Sequence, residues 1–180
     1  MTKEQLKYSL ETKELKLSIW DRISHFGIVF FLLFIPAVFV FLHLKGYFEG
    51  TPKPFKQAEL WFMIAPLLIA VVFYIIQRNR LKFKLIPTSL TRDAIVLIIE
   101  KTAKELEWHP HIVDDKFIIA KTHPGFLSGS WGEQITILFD ENHILVNSIC
   151  DPDKKSSVTS MGRNNKNEKK LIEAMKKANR

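Results

Sequence analysis

The chain has 180 residues, with 26 Lys and Arg against 19 Asp and Glu for a net charge of +7, and 47% of its residues are hydrophobic. This length leaves room for one small domain beside two long apolar segments. The single cysteine excludes an intramolecular disulfide framework, so we expect the domain to be held together by its core.

The two apolar segments, residues 26–44 and 60–76, contain no Asp, Glu, Lys or Arg. Each is close to the ~20 residues that an α-helix needs to cross a bilayer core of ~30 Å. About a dozen Leu, Ile, Phe and Val residues in each segment favour insertion by roughly 4 to 7 kcal/mol. Pro36 and Pro66 are tolerated in such helices, because neighbouring groups satisfy the freed carbonyls. The sequence therefore predicts a two-helix transmembrane hairpin over residues 26–77.

A soluble core and a signal peptide each account less well for the apolar segments. Buried helices of a soluble core are rarely apolar on every face. A cleaved signal peptide has an apolar region of only ~7 to 15 residues, and residues 46–49 offer no cleavage site of small residues. We therefore expect both helices in the mature protein. The aromatic residues that flank the segments, as at membrane interfaces, are Trp20, Tyr47, Trp61 and Tyr74.

Basic residues near the ends of the segments predict their orientation, because Lys and Arg accumulate on the cytoplasmic side. Five lie in residues 1–25, four lie in residues 78–84 without an acid among them, and three lie in the connecting loop. We predict an integral protein of the bacterial inner membrane with both termini cytoplasmic. Cys150 then lies in a reducing compartment.

A change of composition near Pro87 separates the apolar part of the chain from a patterned part. The predicted organisation is a cytoplasmic N-terminal segment (1–25), the hairpin (26–77), a basic juxtamembrane linker (78–87) and a soluble α+β domain (88–180).

A helix is expected at the start of the soluble domain. Thr91 can serve as its N-cap, and its end is expected near Trp108, because His109 precedes Pro110. One face carries the residues that recur at helical spacing, which are Ile95, Ile98, Ile99, Thr102, Ala103 and Leu106.

Four candidate strands follow this helix. They are residues 111–121, 134–140, 144–150 and, more weakly, 157–161, with a hairpin turn at 140–143 and a further turn at 151–153.

A last helix is expected to start with Asn164 or Asn165 as its cap and to bury Leu171, Ile172 and Met175. The fold class is thus α+β with a membrane hairpin, in which a helix, an antiparallel sheet and a helix follow the hairpin and the helices cover one face. Residues 12–20 and 81–86 suit both strand and helix spacing, so both alternatives stay open.

The string Ser-Gly-Ser-Trp-Gly-Glu-Gln-Ile-Thr-Ile-Leu-Phe-Asp at residues 128–140, with residues 147–152 and 162–164 and the two-helix hairpin, carries a resemblance. The chain resembles a group of small uncharacterised bacterial membrane proteins with a two-helix hairpin and a C-terminal cytoplasmic α+β domain. The likeness extends over most of the chain. It implies the architecture and brings no activity or catalytic residue with it.

Side chains that could carry chemistry are few. His109 and His111 would lie on one face of a strand, as two metal ligands would, but further ligands from His123, Cys150 or Asp114 would have to come from the fold. Spacing alone is weak, so we predict neither a metal nor a cofactor. The candidate nucleophiles, none with a base nearby in sequence, are Cys150, Ser156, Ser157 and Ser160.

The segment 123–132 is the most unusual part of the soluble domain. It lacks the Gly-Lys-Ser/Thr ending of a phosphate-binding loop, so a plain connector between strands is the simplest interpretation. Phe126, Leu127 and Trp131, if exposed together, would instead form a docking patch for a protein partner or a second copy of the chain.

Basic residues beside the hairpin, rather than a nucleic-acid surface, account for much of the positive charge. Arg78, Arg80, Lys82 and Lys84 lie where anionic headgroups would be, and each is worth about 1 kcal/mol of attraction to such a surface. We therefore expect an anionic bilayer as a partner, and no nucleic acid.

The functional hypothesis that needs nothing beyond these features is a membrane-anchored binding or regulatory module. A membrane-associated enzyme acting on a lipid or envelope precursor, and a subunit of an oligomeric transporter, are the alternatives. The two apolar segments contain no Asp, Glu, Lys or Arg that could form an ion pathway, and His43 lies near a segment end, which weakens the transporter. Whether the chain is an enzyme stays open, with a non-enzymatic role favoured.

Overall fold

A computed structural model describes residues 1–125 and 128–179 of the chain. The long apolar segments form two helices, α3 (Gly27–Phe48) and α4 (Gln57–Arg80), which pack side by side. A small buried cluster where they meet consists of Phe26, Val29 and Ala70. The expected pair of long helices is confirmed, and both are long and apolar enough to cross a membrane.

Two short helices precede the hairpin, α1 (Lys3–Thr12) and α2 (Ile19–His25). The Thr2 hydroxyl accepts from the Gln5 backbone N–H and the Gln5 side chain accepts from the Thr2 N–H, which is a capping box at the start of α1. Ser18 is the N-cap of α2, and its hydroxyl accepts a 3.2 Å bond from the Asp21 N–H.

The domain after the hairpin contains one antiparallel sheet of five strands in the order β1-β5-β4-β3-β2. The expected hairpin between the last two strands is confirmed, because Asp140 pairs with His143 across the turn. The strands are β1 (Lys84–Pro87), β2 (His109–Val113), β3 (Phe117–Lys121), β4 (Glu133–Asp140) and β5 (His143–Cys150).

Two strand predictions need correction, and one open alternative is decided. The expected single strand 111–121 is two strands, β2 and β3, separated by a turn after Val113. Residues 157–161 form no strand, because the Ser157 carbonyl accepts from Gln77 Nε2 of α4 and the Ser157 hydroxyl donates within its own turn. The fifth strand instead comes from residues 84–87, and Glu14 forms a bridge with Lys82, so both ambiguous stretches are extended at these points.

Helices α5 (Arg92–Glu105) and α6 (Arg163–Ala178) pack on one face of the sheet, as expected. Thr91 occupies the N-cap position of α5, which ends three residues before Trp108. Gly162, at φ 83°, takes the N-cap position of α6 in place of the predicted Asn164 or Asn165. The buried core on this face includes Ile95, Ile99, Trp108, Ile135, Ile137, Val146, Leu171 and Met175.

The other face of the sheet is covered by the N-terminal segment. Leu15 is 4% exposed, and Leu6, Leu10 and Leu17 pack beside it. Backbone bonds join the layers, from the Leu15 N–H to the Leu81 carbonyl at 2.8 Å and from the Phe83 N–H to the Lys13 carbonyl at 2.9 Å. The strand residues beneath this layer are Phe117, Ile119, Leu138, Leu145 and Ile149.

The second layer predicts a difference between two Leu-to-Ala variants. Leu15→Ala removes a buried side chain and should lower the unfolding free energy of the domain by about 2 to 4 kcal/mol. Leu97→Ala removes the same atoms from a side chain of α5 that is 65% exposed, and should change it by less than about 0.5 kcal/mol. Denaturant unfolding in detergent micelles measures both, and equal effects would show that residues 1–17 do not pack on the sheet.

Candidate functional site

The last turns of α4 direct basic residues to two sides of the molecule. Successive helical residues are about 100° apart, so Arg78 and Arg80 point in nearly opposite directions. Arg78 shares a helix face with Tyr74, one turn before it, and with Leu81 after it. Each side of α4 then meets a different part of the chain, and a pocket forms on each side.

The pocket on the Arg78 side, here called the arginine pocket, has a volume of about 430 Å³. Helix α4 contributes Tyr74, Arg78 and Leu81, and the region of α2 contributes Arg22 and Phe26. The ring centroids of Phe26 and Tyr74 lie 5.6 Å apart and form part of its wall. The N-terminal segment closes it with Tyr8, Glu14, Leu15, Lys16 and Leu17.

The basic side chains of the arginine pocket differ in whether they have an ion-pair partner. Lys16 is paired with Glu4 at 2.5 Å and lies 5.1 Å from the Tyr8 ring. Arg22 and Arg78 form no ion pair within residues 1–125 and 128–179, and both are exposed. Glu14 is the acid among the lining residues. Two guanidinium groups therefore face an open, partly apolar pocket, which suits an anionic group on an apolar body.

The pocket on the Arg80 side is smaller, about 220 Å³, and lies between β1, β5 and the start of α6. It brings together Arg80, Lys82 and Lys84, three of the four predicted headgroup residues. With the Asn164 side-chain Nδ2 facing the Ile149 carbonyl, its Oδ1 accepts from Arg80 Nη1 at 3.0 Å. Arg80 thus also links α4 to α6.

Glu168 forms the acidic part of this second pocket. Burial raises the pKa of its carboxyl, although the carboxylate accepts a 3.0 Å bond from the Ser148 N–H. Ser148 lies beyond the last β5 residue that pairs with β1, so Glu168 satisfies a backbone donor that the sheet leaves open.

Several polar contacts hold the hairpin on the domain. Asn147 Nδ2 donates to the carbonyls of Arg80 at 2.7 Å and Lys82 at 3.2 Å, which satisfies the C-terminal end of α4. The Ser24 hydroxyl donates to the Pro152 carbonyl at 2.6 Å, and the Ile28 N–H donates to Ser156 Oγ at 3.2 Å. The start of α3 and the end of α4 are therefore both tied to the sheet domain.

Helix α2 presents an apolar surface beside the start of the hairpin. Ile19 and Trp20 are 77% and 79% exposed, and Ile23 is also exposed one turn later. Asp21 and Arg22 lie between these residues. An amphipathic helix with exposed Trp and Ile is typical of the membrane interface.

The predicted docking patch is described only in part, because Phe126 and Leu127 lie outside the described residues. Trp131 is 48% exposed, and Lys155 Nζ lies 4.7 Å from the centre of its ring. Lys155 precedes Ser156, which contacts the first turn of α3. Trp131 therefore lies on the same side of the domain as the hairpin, and its role in docking stays a prediction.

A buried carboxylate anchors the segment that carries Trp131. Glu133 is fully buried, accepts from Ser130 Oγ at 2.5 Å, and accepts from Arg163 Nε at 3.1 Å with both oxygens. Thr122 Oγ1 also donates to it. Gly132 fits beside this cluster because an added Cβ would lie 2.8 Å from the Thr122 carbonyl.

The candidate metal ligands do not come together into one site among the residues that the structure describes. The register of β2 shifts between Pro110 and Ile112, which disturbs the alternation at His111, and the His109 ring lies 5.2 Å from that of His123. Among the described residues there is no group of three or more His, Cys, Asp or Glu that could hold a metal ion. Burial raises the pKa of the Cys150 thiol, which keeps it neutral.

The serine candidates form hydrogen bonds that hold backbone segments in place. Ser156 Oγ accepts from the Ile28 N–H, Ser157 Oγ donates to the Thr159 carbonyl at 2.7 Å, and Ser160 Oγ accepts from the Asn164 N–H at 3.0 Å. No histidine takes part in these bonds, which join backbone segments to one another.

Comparisons with models of protein families, with curated proteins and with solved structures produced no match.

Sequence reasoning missed the partners of the predicted basic residues. Arg22 and Tyr8 lie far from Arg78 in sequence, and no local pattern predicts that they line one pocket. One signal was present in the short stretch 19–25, where Trp20 and two isoleucines surround Arg22 at helical spacing. Asn147 and Glu133 could not be found in this way, because each acts through a fold-dependent contact.

His25 gives the joint between hairpin and domain a dependence on pH. Its ring is 5% exposed, and Nε2 lies 3.1 Å from the Gln77 carbonyl. Burial, which disfavours the charged ring, lowers the pKa of His25 below its ordinary 6.5. The unfolded chain then binds the proton more readily, so stability is complete above about pH 6.5 and falls as the pH drops below it.

Melting curves between pH 7.5 and pH 5.5 test this effect. The melting temperature of the unchanged protein should fall on acidification, and His25→Gln should reduce that fall while lowering the value at pH 7.5. His123→Gln, at an exposed ring, is the matched control and should keep the full pH response. An unchanged pH response in His25→Gln would contradict the assignment.

Proposed function

We propose that this protein is a membrane-anchored binding or regulatory module of the bacterial inner membrane. In this proposal α3 and α4 span the bilayer, both termini are cytoplasmic, and the sheet domain is held at the inner surface. The basic residues Arg78, Arg80, Lys82 and Lys84 contact anionic headgroups there. The partner of the module is a second ligand or protein that meets the sheet domain at this surface.

The observation that carries the proposal is the exposure of apolar side chains along the hairpin. In the 18-residue stretch of α3 that is most apolar only 11% is buried, and in the corresponding stretch of α4 only 6% is buried. Phe31 and Phe34 of α3 are each 64% exposed, and Leu68 of α4 is 60% exposed. A core helix of a soluble protein buries such residues, whereas hydrocarbon accepts them.

The arrangement of the two ends of the hairpin supports the orientation. The N-terminal segment and the sheet domain both contact the end of the hairpin where α3 starts and α4 finishes. The connecting loop, residues 49–56, lies at the other end. A single crossing of each helix would therefore leave both termini on one side, and the basic residues at that end favour the cytoplasm.

Alkaline carbonate washing of membranes tests the anchoring. The full chain should stay with the membrane pellet at pH 11, because removal of two apolar helices from hydrocarbon costs several kcal/mol each. Quantitative blotting of pellet and supernatant measures the distribution. Release of the intact chain into the supernatant would show that the hairpin does not span the bilayer.

Cysteine labelling tests the orientation. Cys150 is a poor reporter because it is half-buried and its thiol pKa is raised, so Cys150→Ala provides the background. In that background Lys53→Cys, in the exposed loop, should react with a membrane-impermeant maleimide in intact spheroplasts. Glu141→Cys, in the exposed turn between β4 and β5, should react only after permeabilisation. The reverse pattern would overturn the proposed topology.

A further inference from the structure

We infer that the arginine pocket binds the phosphodiester group of one membrane phospholipid. This inference rests on the proposed function, because the ligand must reach the pocket from the leaflet beside the sheet domain. It adds a specific site to a general attraction between basic residues and headgroups. The site combines Arg78, predicted from the sequence as a headgroup contact, with Arg22, Tyr74 and the N-terminal segment.

The position of the arginine pocket favours a lipid ligand. Arg78 lies in the last turn of α4 and Tyr74 lies one turn before it. Arg22 lies in α2, whose exposed Ile19 and Trp20 mark the interface on the other side of the pocket. With α3 and α4 in the bilayer, these residues lie at the boundary between hydrocarbon and water, which is the level of lipid phosphates.

The charge of the pocket lining favours an anionic ligand. Neither Arg22 nor Arg78 has an ion-pair partner among the described residues, whereas Lys16 in the same pocket is paired with Glu4. Guanidinium groups bind phosphate oxygens in pairs, with a geometry that a carboxylate or phosphate matches. The two unpaired guanidinium groups outnumber the single carboxylate of Glu14, so the lining keeps a net positive charge. The negative charge of a phosphodiester would offset it.

The apolar wall of the pocket favours a lipid over a free anion. Phe26, Leu17 and Leu81 line it together with the ring of Tyr74, which is 42% exposed. Free phosphate has no apolar group that could pack on such a wall, whereas the glycerol and first methylenes of a phospholipid would contact it. The volume of about 430 Å³ lies within the range of about 300 to 1,000 Å³ that small-molecule sites occupy.

Native mass spectrometry of the full chain in lipid nanodiscs tests the inference. The nanodiscs contain phosphatidylcholine, phosphatidylethanolamine and phosphatidylglycerol, and the lipids that stay on the protein after release are counted. We expect one retained phospholipid. In Arg22→Gln/Arg78→Gln its occupancy should fall by about tenfold or more, because charge-assisted bonds to the phosphate are lost.

A matched variant controls for the loss of two positive charges. Lys101→Gln/Lys104→Gln changes the net charge equally at two exposed positions of α5, and should keep the lipid. Equal retention by the arginine variant and the unchanged protein would overturn the inference, as would equal loss in the lysine variant. Retention of any of the three headgroups, if it depends on both arginines, supports it.

Two further measurements separate the possible failures. Inorganic phosphate at millimolar concentration should not raise the melting temperature in detergent, whereas short-chain phosphatidylglycerol should. An equal, arginine-dependent rise with phosphate would identify a free-anion site and overturn the lipid inference. Carbonate washing reports on the anchoring independently. If the arginine variant stays in the pellet and keeps its lipid, the inference about the pocket is wrong and the anchoring stands. If the unchanged protein is released into the supernatant, the proposed function is wrong.

Discussion

The direct connection between α4 and the sheet is the constraint on which the rest of the structure depends. Residues 81–83 separate Arg80 at the end of α4 from Lys84 at the start of β1. The amide of Asn147, in the neighbouring strand β5, donates to the carbonyls of both Arg80 and Lys82. Since the last carbonyls of a helix need such donors, α4 ends against the sheet instead of in a flexible linker.

This connection sets the positions of the charged side chains. Arg78 and Arg80 lie on opposite sides of the same helix end, so one faces the N-terminal segment and the other faces α6. A flexible linker would have spread these charges over many arrangements, whereas the ordered helix end holds each in its own pocket. The hydrogen bond from Arg80 to Asn164 then connects the end of α4 to the start of α6.

The N-terminal segment has a structural role of the same kind. Its leucines cover the second face of the sheet, and its backbone pairs with residues 81–83. Lys13 adds a 3.0 Å ion pair to Asp140, and its strong hydrogen bond lowers the pKa of that carboxyl. The segment that leads into α3 and the segment that leaves α4 therefore form one layer at the end of the hairpin. A group that binds between them would contact both ends of the chain's apolar region.

Sequence patterns by themselves determined the elements with a strong local signal. The two long helices, α5 with its N-terminal Thr91 and the β4–β5 hairpin were predictable, because apolar runs, helical spacing and turn residues each act over a few neighbours. Only the tertiary structure decided the strand at residues 84–87, the layer formed by residues 1–17, and the meeting of Arg22 with Arg78. These depend on contacts between residues that are far apart in sequence, such as Arg22 with Arg78 and Lys84 with Val146. The local sequence around Leu15 or Arg22 does not predict which residues it will contact. The physical reason is that burial and pairing are decided by the partner surface, which local propensity does not describe.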